Sequence, residues 1–220
     1  MHNLQNFLKS FSALSRHHKK FANFIFPELL KINKGNILEF GVSEKAMSTE
    51  LFLEYSKNSE CRIFSIDTVD YSKKFQNSSW TFIHSRDDNF NYIKKMIPTE
   101  LDLILLDTVH EANHVENIIF NYWERLKLNC CFFIDDINWM PYLKSSKKNR
   151  FYDEINNHET FHKLLEIYYS NEDQIELDFT FNGTGMCKIK KINNKKLNLS
   201  KKIETRVLSI KNLFRRLIKR

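Results

Sequence analysis

The sequence lacks the features of a membrane-spanning protein and of a protein with a structural zinc site. No stretch approaches the roughly 20 uninterrupted apolar residues of a membrane span, and the first residues show no charged region followed by a long apolar one. The four cysteines form neither a CxxC pair nor a zinc-ligand spacing. Cys130 and Cys131 are adjacent, whereas Cys61 and Cys187 stand alone. These absences predict a cytoplasmic protein with reduced, structural thiols.

The basic character belongs to the carboxyl-terminal tail alone. The whole chain carries a formal net charge of +7 over 220 residues. Residues 188–220 hold 13 Lys or Arg and a single acid, Glu204, so this segment carries +12 and the remaining chain carries −5. A nucleic-acid-binding core would normally have a positive face of its own, which makes nucleic acid an unlikely partner of the body. The 42% hydrophobic content and the 19 Phe predict a globular fold.

Four short apolar segments, each ending in polar or acidic residues, predict the fold. They cover residues 37–41, 63–67, 101–107 and 130–136, and helical patterns separate them. We therefore expect a Rossmann-like, doubly wound α/β fold with a mainly parallel sheet, whose ligand site lies beyond the carboxyl ends of the strands. Alternating residues around a Gly-rich turn predict an antiparallel hairpin, 175–181 with 186–192, that closes the sheet.

Three segments are expected along the chain. Residues 1–34 should form helices that pack on the sheet or roof the site, residues 35–192 the sheet domain, and residues 193–220 a basic linker followed by an amphipathic helix. The tail helix, residues 203–220, has an apolar stripe and scattered basic side chains, which is typical of helices that lie on anionic membranes. A peripheral position at the inner face of a membrane is therefore one prediction. Packing of the stripe on the body or on a second subunit, or binding of nucleic acid by the tail, are the alternatives.

The strand ends resemble a known family. Residues 38–43 with Ser48 and Thr49, then residues 66–67, 106–111 and 134–137, are similar to the class I S-adenosylmethionine-dependent methyltransferases. Within that class the chain is most similar to the branch of macrocin-type sugar O-methyltransferases and cephalosporin-hydroxylase-like proteins. The similarity covers about residues 35–192. It implies a methyltransferase that uses S-adenosylmethionine.

The resemblance also implies a set of cofactor-binding residues. Glu39 would take up the cationic amino end of the methionine part, Asp67 the ribose hydroxyls, and the segment from Ser85 to Asp87 would flank adenine. Gly41 lets the backbone turn sharply and approach the ligand, before a helix from about residue 44 that Ser43 is placed to cap. The ordinary alternative makes Gly41 a strand-end turn and Asp67 a helix cap. The predicted cofactor-binding residues are Glu39, Gly41, Ser43, Asp67, Ser85, Asp87, Asp107 and Thr108.

Two features of the first loop concern the choice of cofactor. Gly41 is its only glycine, fewer than the family usually has. G-x-G-x-x-G is absent, which disfavours a nicotinamide-binding sheet.

The carboxylates of Asp107, Asp135 and Asp136 predict a cation site. Three acids at neighbouring strand ends repel one another, and oxygen ligands suit Mg²⁺ or another divalent cation. In the resembling sugar methyltransferases, acids at these positions hold a metal that orients sugar hydroxyls. The alternative is that one acid contacts the adenosyl group and the others are solvated or capping.

A catalytic base is predicted at His110. The resembling pattern often has an acid two residues after the first aspartate, but here that residue is Val109. His110 follows it, and a neutral imidazole is a competent base near neutral pH. We therefore predict catalysis by His110 with Asp107, against the alternative of a structural histidine. Residues 110–114 also read H-E-x-x-H, a zinc-peptidase signature that requires both histidines on one helix face. We disfavour that reading because His110 should precede the helix.

Three functions remain open on the sequence. The first is an O-methyltransferase acting on a hydroxyl of a sugar or glycan intermediate. The second is another small-molecule methyltransferase, or a relative that binds the cofactor without turnover. The third is a membrane-surface or polyanion-binding module. An oligomer is possible in each case, and no motif names the acceptor.

Overall fold

A computed structural model describes residues 2–139 and 151–204, together with Phe214 and Ile218. The helices are α1 His2–Leu14, α2 Arg16–Phe24, α3 Phe26–Leu29, α4 Met47–Ser56, α5 Phe90–Met96, α6 Ala112–Tyr122 with a 3-10 turn at Trp123–Arg125, and α7 Phe151–Tyr169. The strands are β1 Lys34–Phe40, β2 Glu60–Asp67, β3 Trp80–His84, β4 Leu101–Leu106, β5 Leu126–Asp135, β6 Ile175–Thr180 and β7 Met186–Lys191.

The seven strands form one sheet that confirms the predicted fold class. Their order is β3-β2-β1-β4-β5-β7-β6. Strands β1 to β5 are parallel, and β7 joins β5 and β6 in antiparallel register, which is the expected closing hairpin. The chain leaves β1 toward β2 and later returns on its other side with β4. The switch point of the sheet therefore lies between β1 and β4, where open α/β sheets form their ligand crevice.

Both faces of the sheet are covered by helices. One hydrophobic cluster joins the inner side chains of α6 and α7 to β1, β4 and β5, with Tyr122 and Trp123 among its largest buried members. The other joins α4 and the three amino-terminal helices to the opposite face, where Phe21, Ile25 and Leu29 are buried against the sheet. The amino-terminal helices therefore pack on the sheet, as the spacing of their apolar residues indicated. All four cysteines are free, as expected.

Several predicted boundaries require correction. Helix α4 begins at Met47 rather than near residue 44, because Ser43 and Ala46 have left-handed backbone angles, φ 59° and 48°. Ala46 is the residue that precedes the helix, so Ser43 does not cap it. Strand β5 begins four residues earlier than predicted, with Leu126 paired to Leu101 before a register shift. Helix α7 begins six residues earlier than the predicted residue 157.

The linker lies against the body, and most of the tail helix falls outside the described residues. Leu197 is buried, and the Asn198 amide N–H donates to Asn171 Oδ1 at 2.7 Å. Of residues 203–220, the structure describes Ile203, Glu204, and the helical, exposed Phe214 and Ile218. The membrane-surface prediction for the tail therefore stays a prediction. Among the described helices, none is long and apolar enough to cross a bilayer.

We expect Tyr122→Phe to stabilise the protein. The Tyr122 ring is fully buried against Phe40 and Phe90, and its hydroxyl has no hydrogen-bond partner among the described residues. A buried unsatisfied hydroxyl costs about 1–3 kcal/mol, so its removal should raise the free energy of unfolding by about that amount. Urea denaturation measures the change.

The matched control is Tyr55→Phe. The Tyr55 hydroxyl donates to the Ile32 carbonyl at 2.9 Å, so this variant should lose about 1 kcal/mol. Destabilisation of the Tyr122 variant by a similar amount would show that its hydroxyl has a partner.

Candidate functional site

A crevice of about 240 Å³ opens at the switch point of the sheet. It contains seven of the eight residues predicted to bind the cofactor, all except Glu39. They come from the ends of β1, β2, β3 and β4, because parallel strands bring their carboxyl ends to one edge. The lining residues are Gly41, Ser43, Ile66, Asp67, Thr68, Ser85, Arg86, Asp87, Asp107, Thr108 and Val109.

Gly41 is required by its backbone surroundings. Its φ of +92° is a conformation that side chains disfavour, and a Cβ there would lie 1.9 Å from the Asp107 carbonyl oxygen. The Gly41 amide N–H donates to the Ile66 carbonyl at 2.8 Å, and the Asp107 amide N–H donates to the Phe40 carbonyl at 2.8 Å. The first loop is thereby held directly over the end of β4. A single glycine therefore suffices to form the crevice.

Asp67 organises the first loop from the end of β2. Its Oδ2 accepts the amide N–H groups of Val42 at 2.8 Å and Ser43 at 3.1 Å, while its Oδ1 accepts that of Val69 at 2.9 Å. A carboxylate has about four acceptor positions, so capacity for a ligand hydroxyl remains. Asp67 thus fixes the loop and lines the crevice, and its contact with a ribose stays a prediction.

Asp87 is held at the opposite wall of the crevice. It is buried, and its Oδ2 accepts the Thr108 hydroxyl and lies 2.8 Å from His114 Nε2. Burial alone would raise the pKa of Asp87, but the hydrogen bonds from His114 and Thr108 lower it. The same contact raises the pKa of His114. Asp87, Asp88 and His114 also lie close enough together to share a cation.

The H-E-x-x-H segment does not form a zinc-peptidase site. Helix α6 begins at Ala112, so His110 precedes it. His110 lies with Asp107 and Asp136, whereas His114 lies with Asp87. The two histidines therefore belong to separate groups of side chains.

Glu39 lies beneath the crevice, fully buried. Its carboxyl group accepts the hydroxyls of Ser48 at 2.5 Å, Thr49 at 2.8 Å and Ser65 at 2.5 Å. Burial raises the pKa of Glu39 to about 7 despite these three hydrogen bonds. The carboxyl group does not line the crevice, so the predicted contact with the methionine part remains a prediction.

Asp107, His110 and Asp136 form a cluster beside the crevice. Each places a possible ligand atom within 4.8 Å of the others, and His110 Nε2 lies 3.3 Å from Asp136 Oδ2 and 3.8 Å from Asp107 Oδ1. Desolvation raises the pKa of Asp107 well above its usual range, and the charges of Asp135 and Asp136 raise it further. Such a cluster can bind a divalent cation or, without one, hold a proton between its groups.

Asp135 faces a partner that sequence reasoning missed. Lys20 of α2 is 1% exposed and donates to Asp135 Oδ1, so Asp135 is committed to an ion pair rather than to the cluster. Burial raises the pKa of Asp135, and the Lys20 ammonium opposes that rise. The predicted cation set of Asp107, Asp135 and Asp136 is thus divided. Among the described residues, His110 rather than Asp135 lies with Asp107 and Asp136 at distances that could hold a metal ion.

The signal for Lys20 was faint. It lies four residues before Phe24, on the apolar side of its helix, where a charge requires a buried partner. The identity of that partner, 115 positions further along the chain, is a tertiary fact that periodicity does not contain. The lining residue Thr68 was likewise missed, because it follows the end of β2 without a motif.

The comparisons with known proteins agree with this fold. No family model matches the chain, and no curated protein matches it by sequence. Among solved structures, the chain is similar to the MycE methyltransferase from the mycinamycin biosynthetic pathway, in complex with Mg, SAH and mycinamycin VI. The TM-score is 0.62 at 15% identity, over 86% of this chain and 55% of that one.

Two further structures are similar over nearly their full length. The SAH-bound methyltransferase PaMTH1 from Podospora anserina gives a TM-score of 0.62 at 13% identity, over 86% of this chain and 87% of that one. The O-methyltransferase from Bacillus cereus in complex with SAH gives 0.53 at 13% identity, over 87% and 91%. The chain has the fold of class I methyltransferases, and it spans a little over half the length of the MycE chain.

The buried Glu39 predicts a fall in stability as pH rises. Its folded pKa of about 7 lies above the ordinary value of 4.5, so folding takes up a proton between these values. The contribution of Glu39 to the free energy of unfolding is fully present below the ordinary pKa and is lost as pH rises through about 7. The loss should approach about 3 kcal/mol, since each pKa unit corresponds to about 1.4 kcal/mol.

The measurement is the free energy of unfolding of the wild type and of Glu39→Gln, from about pH 5 to about pH 8. The wild type should lose stability relative to the variant across this range, and the exposed Glu50→Gln variant should follow the wild type. A difference between wild type and Glu39→Gln that does not change with pH would contradict the assignment.

Proposed function

We propose that this protein is an S-adenosylmethionine-dependent O-methyltransferase that acts on a hydroxyl of a sugar or glycan. The observation that carries the proposal is the convergence of seven predicted cofactor-binding residues on one crevice at the switch point of a methyltransferase fold. The sugar acceptor is supported by the earlier sequence resemblance and by the likeness to MycE, whose structure holds mycinamycin VI.

The residues that line the crevice support cofactor binding by their chemistry. Gly41 leaves open the space beside the Asp107 backbone, Asp67 retains acceptor capacity toward ribose hydroxyls, and the segment from Ser85 to Asp87 forms the facing wall. Bound S-adenosylmethionine would supply an electrophilic methyl group. The task of the chain is then to orient an acceptor oxygen toward that group and to remove its proton.

His110 is the residue best placed to take the proton. Its Nε2 lies beside the carboxylates of Asp136 and Asp107, which would stabilise the imidazolium that forms on proton transfer. His110 precedes α6, and its own carbonyl accepts the Thr160 hydroxyl of α7 at 2.9 Å. Helix α7 thereby contributes to the position of the His110 backbone.

The cluster can hold a divalent cation with a ligand set that differs from the predicted one. Asp107 and Asp136 offer carboxylate oxygens, and such a cation would lower the pKa of an acceptor hydroxyl. Since an imidazole cannot ligate and accept a proton through the same nitrogen, His110 serves as base only where the two carboxylates hold the cation. An all-oxygen set of this kind suits Mg²⁺, whereas ligation through His110 would favour a transition metal.

Cofactor binding is the first test. Calorimetric titration should detect S-adenosylhomocysteine binding by the wild type, and Asp67→Ala should weaken it by about 1–3 kcal/mol through lost ribose contacts and a loosened first loop. Asp70→Ala is the control, because Asp70 follows Asp67 on the loop after β2, is exposed, and forms its hydrogen bonds with Ser72. Absence of binding by the folded wild type at millimolar ligand would refute the proposal.

Methyl transfer is the second test. Transfer of a labelled methyl group to a panel of nucleotide-activated sugars and oligosaccharides identifies an acceptor. His110→Ala should then lose about 10²- to 10⁴-fold in rate while S-adenosylhomocysteine affinity is retained. His17→Ala, a histidine of α2 outside the crevice, should be unaffected.

Two outcomes would change the mechanism. Full activity in excess EDTA would show that catalysis does not need a cation. An unchanged rate in the His110 variant would show that His110 is not the catalytic base. Cofactor binding without transfer to any acceptor would favour the non-catalytic relative instead.

A further inference from the structure

Lys20 is a buried cation with every proton directed at an acceptor. Its ammonium donates to Asp135 Oδ1, to the Thr184 hydroxyl at 2.7 Å and to the Gly185 carbonyl at 3.3 Å. An ammonium group has three donors, so this set is complete. The side chain is fully enclosed, and therefore it cannot contact an acceptor substrate directly.

The partners of Lys20 also determine the conformation that leads into the catalytic cluster. Asp135 Oδ1 accepts the Asp136 amide N–H at 2.8 Å, and the Gly185 carbonyl accepts the same group at 3.2 Å. Asp136 is held there with a left-handed φ of 55°. Lys20 therefore acts on the cluster both through charge and through the backbone that positions the Asp136 carboxylate.

The Lys20 ammonium and the His110 ring approach different oxygens of the Asp136 carboxylate. Lys20 Nζ lies 4.0 Å from Asp136 Oδ1, while His110 Nε2 lies 3.3 Å from Asp136 Oδ2. A divalent cation in the cluster would thus share Asp136 with a fixed positive charge. Two positive charges that lie close to one carboxylate repel each other, and the repulsion is stronger in a partly buried site than in water.

We propose that Lys20 is a permanent counter-cation for the carboxylates at the carboxyl ends of β4 and β5. It occupies Asp135, withdraws that carboxylate from cation binding, and lowers the affinity of Asp107, His110 and Asp136 for a divalent ion. The inference rests on the cation site of the proposed function but not on methyl transfer. It assigns Lys20 as a positioning residue that sets how tightly this site holds its metal.

The alternative is a structural tether, in which Lys20 only attaches α2 to the β6–β7 turn. A tether predicts lost stability without a specific change in cation affinity. The counter-cation predicts that affinity rises when the ammonium alone is removed, and that it returns when both charges of the pair are removed. Cation affinity therefore separates the two roles.

The experiment measures Mn²⁺ binding to the full chain by the loss of the free-ion electron paramagnetic resonance signal. Lys20→Met should bind Mn²⁺ at least about tenfold more tightly than the wild type, since Asp135 becomes available and a repelling charge is lost. Lys19→Met is the matched control, because Lys19 is exposed on the same helix and its loss should change nothing.

A second variant covers the case in which Lys20→Met leaves Asp135 unpaired and fails to fold. Lys20→Met/Asp135→Asn removes both charges and should bind Mn²⁺ within about threefold of the wild type, because neither residue contributes net attraction in the native pair. If Asp135 is an ordinary ligand in the wild type, this double variant should instead lose about tenfold or more.

Three results would overturn the inference: a folded Lys20→Met protein with unchanged affinity, a double variant that loses Mn²⁺, or no Mn²⁺ binding by any variant at millimolar concentration. Calorimetry with S-adenosylhomocysteine on the same samples keeps the outcomes apart. Retained cofactor binding alongside any of these results would leave the proposed methyltransferase function standing while the counter-cation role falls.

Discussion

The candidate site depends on the close approach of Gly41 to the backbone of Asp107. The approach is possible because Gly41 lacks a Cβ, which would otherwise lie 1.9 Å from the Asp107 carbonyl oxygen. It draws the first loop over the end of β4, and Asp67 then fixes that loop through the amides of Val42 and Ser43. The first loop forms one wall of the crevice, and Thr108, whose hydroxyl donates to Asp87, contributes to another. The topology of the sheet places the crevice at the carboxyl ends of the strands, and the lack of a Cβ at Gly41 leaves the space for it.

Excess negative charge at that edge is the second determinant. Asp107, Asp135 and Asp136 would repel one another if all were ionised without compensation. The fold relieves this repulsion by pairing Asp135 with the buried Lys20. The amino-terminal helices are therefore more than a cover for the sheet, because α2 delivers the compensating ammonium to the edge where chemistry would occur.

Sequence reasoning reached the sheet and the crevice because both follow from local patterns. Apolar runs that end in acids gave the strands, and parallel order brought residues such as Asp67 and Asp107 together. Sequence reasoning was wrong where the conformation or the pairing of a residue depends on tertiary contacts. The predicted start of α4 was wrong because Ser43 and Ala46 adopt left-handed backbone angles that no propensity indicates. The pairing of Asp135 with Lys20 was missed because it joins positions 115 residues apart. The burial of Glu39 under three hydroxyls was equally beyond a motif.

We expect the crevice between β1 and β4 to hold an adenosyl cofactor. A crystal structure of the protein grown with S-adenosylhomocysteine tests it most directly. Ligand density should show the ribose hydroxyls at Asp67, the adenine between Ser85 and Asp87, and the chain of the ligand passing Gly41 toward Asp107. Density at another place in the fold, or an empty crevice in crystals that bind the ligand elsewhere, would contradict it.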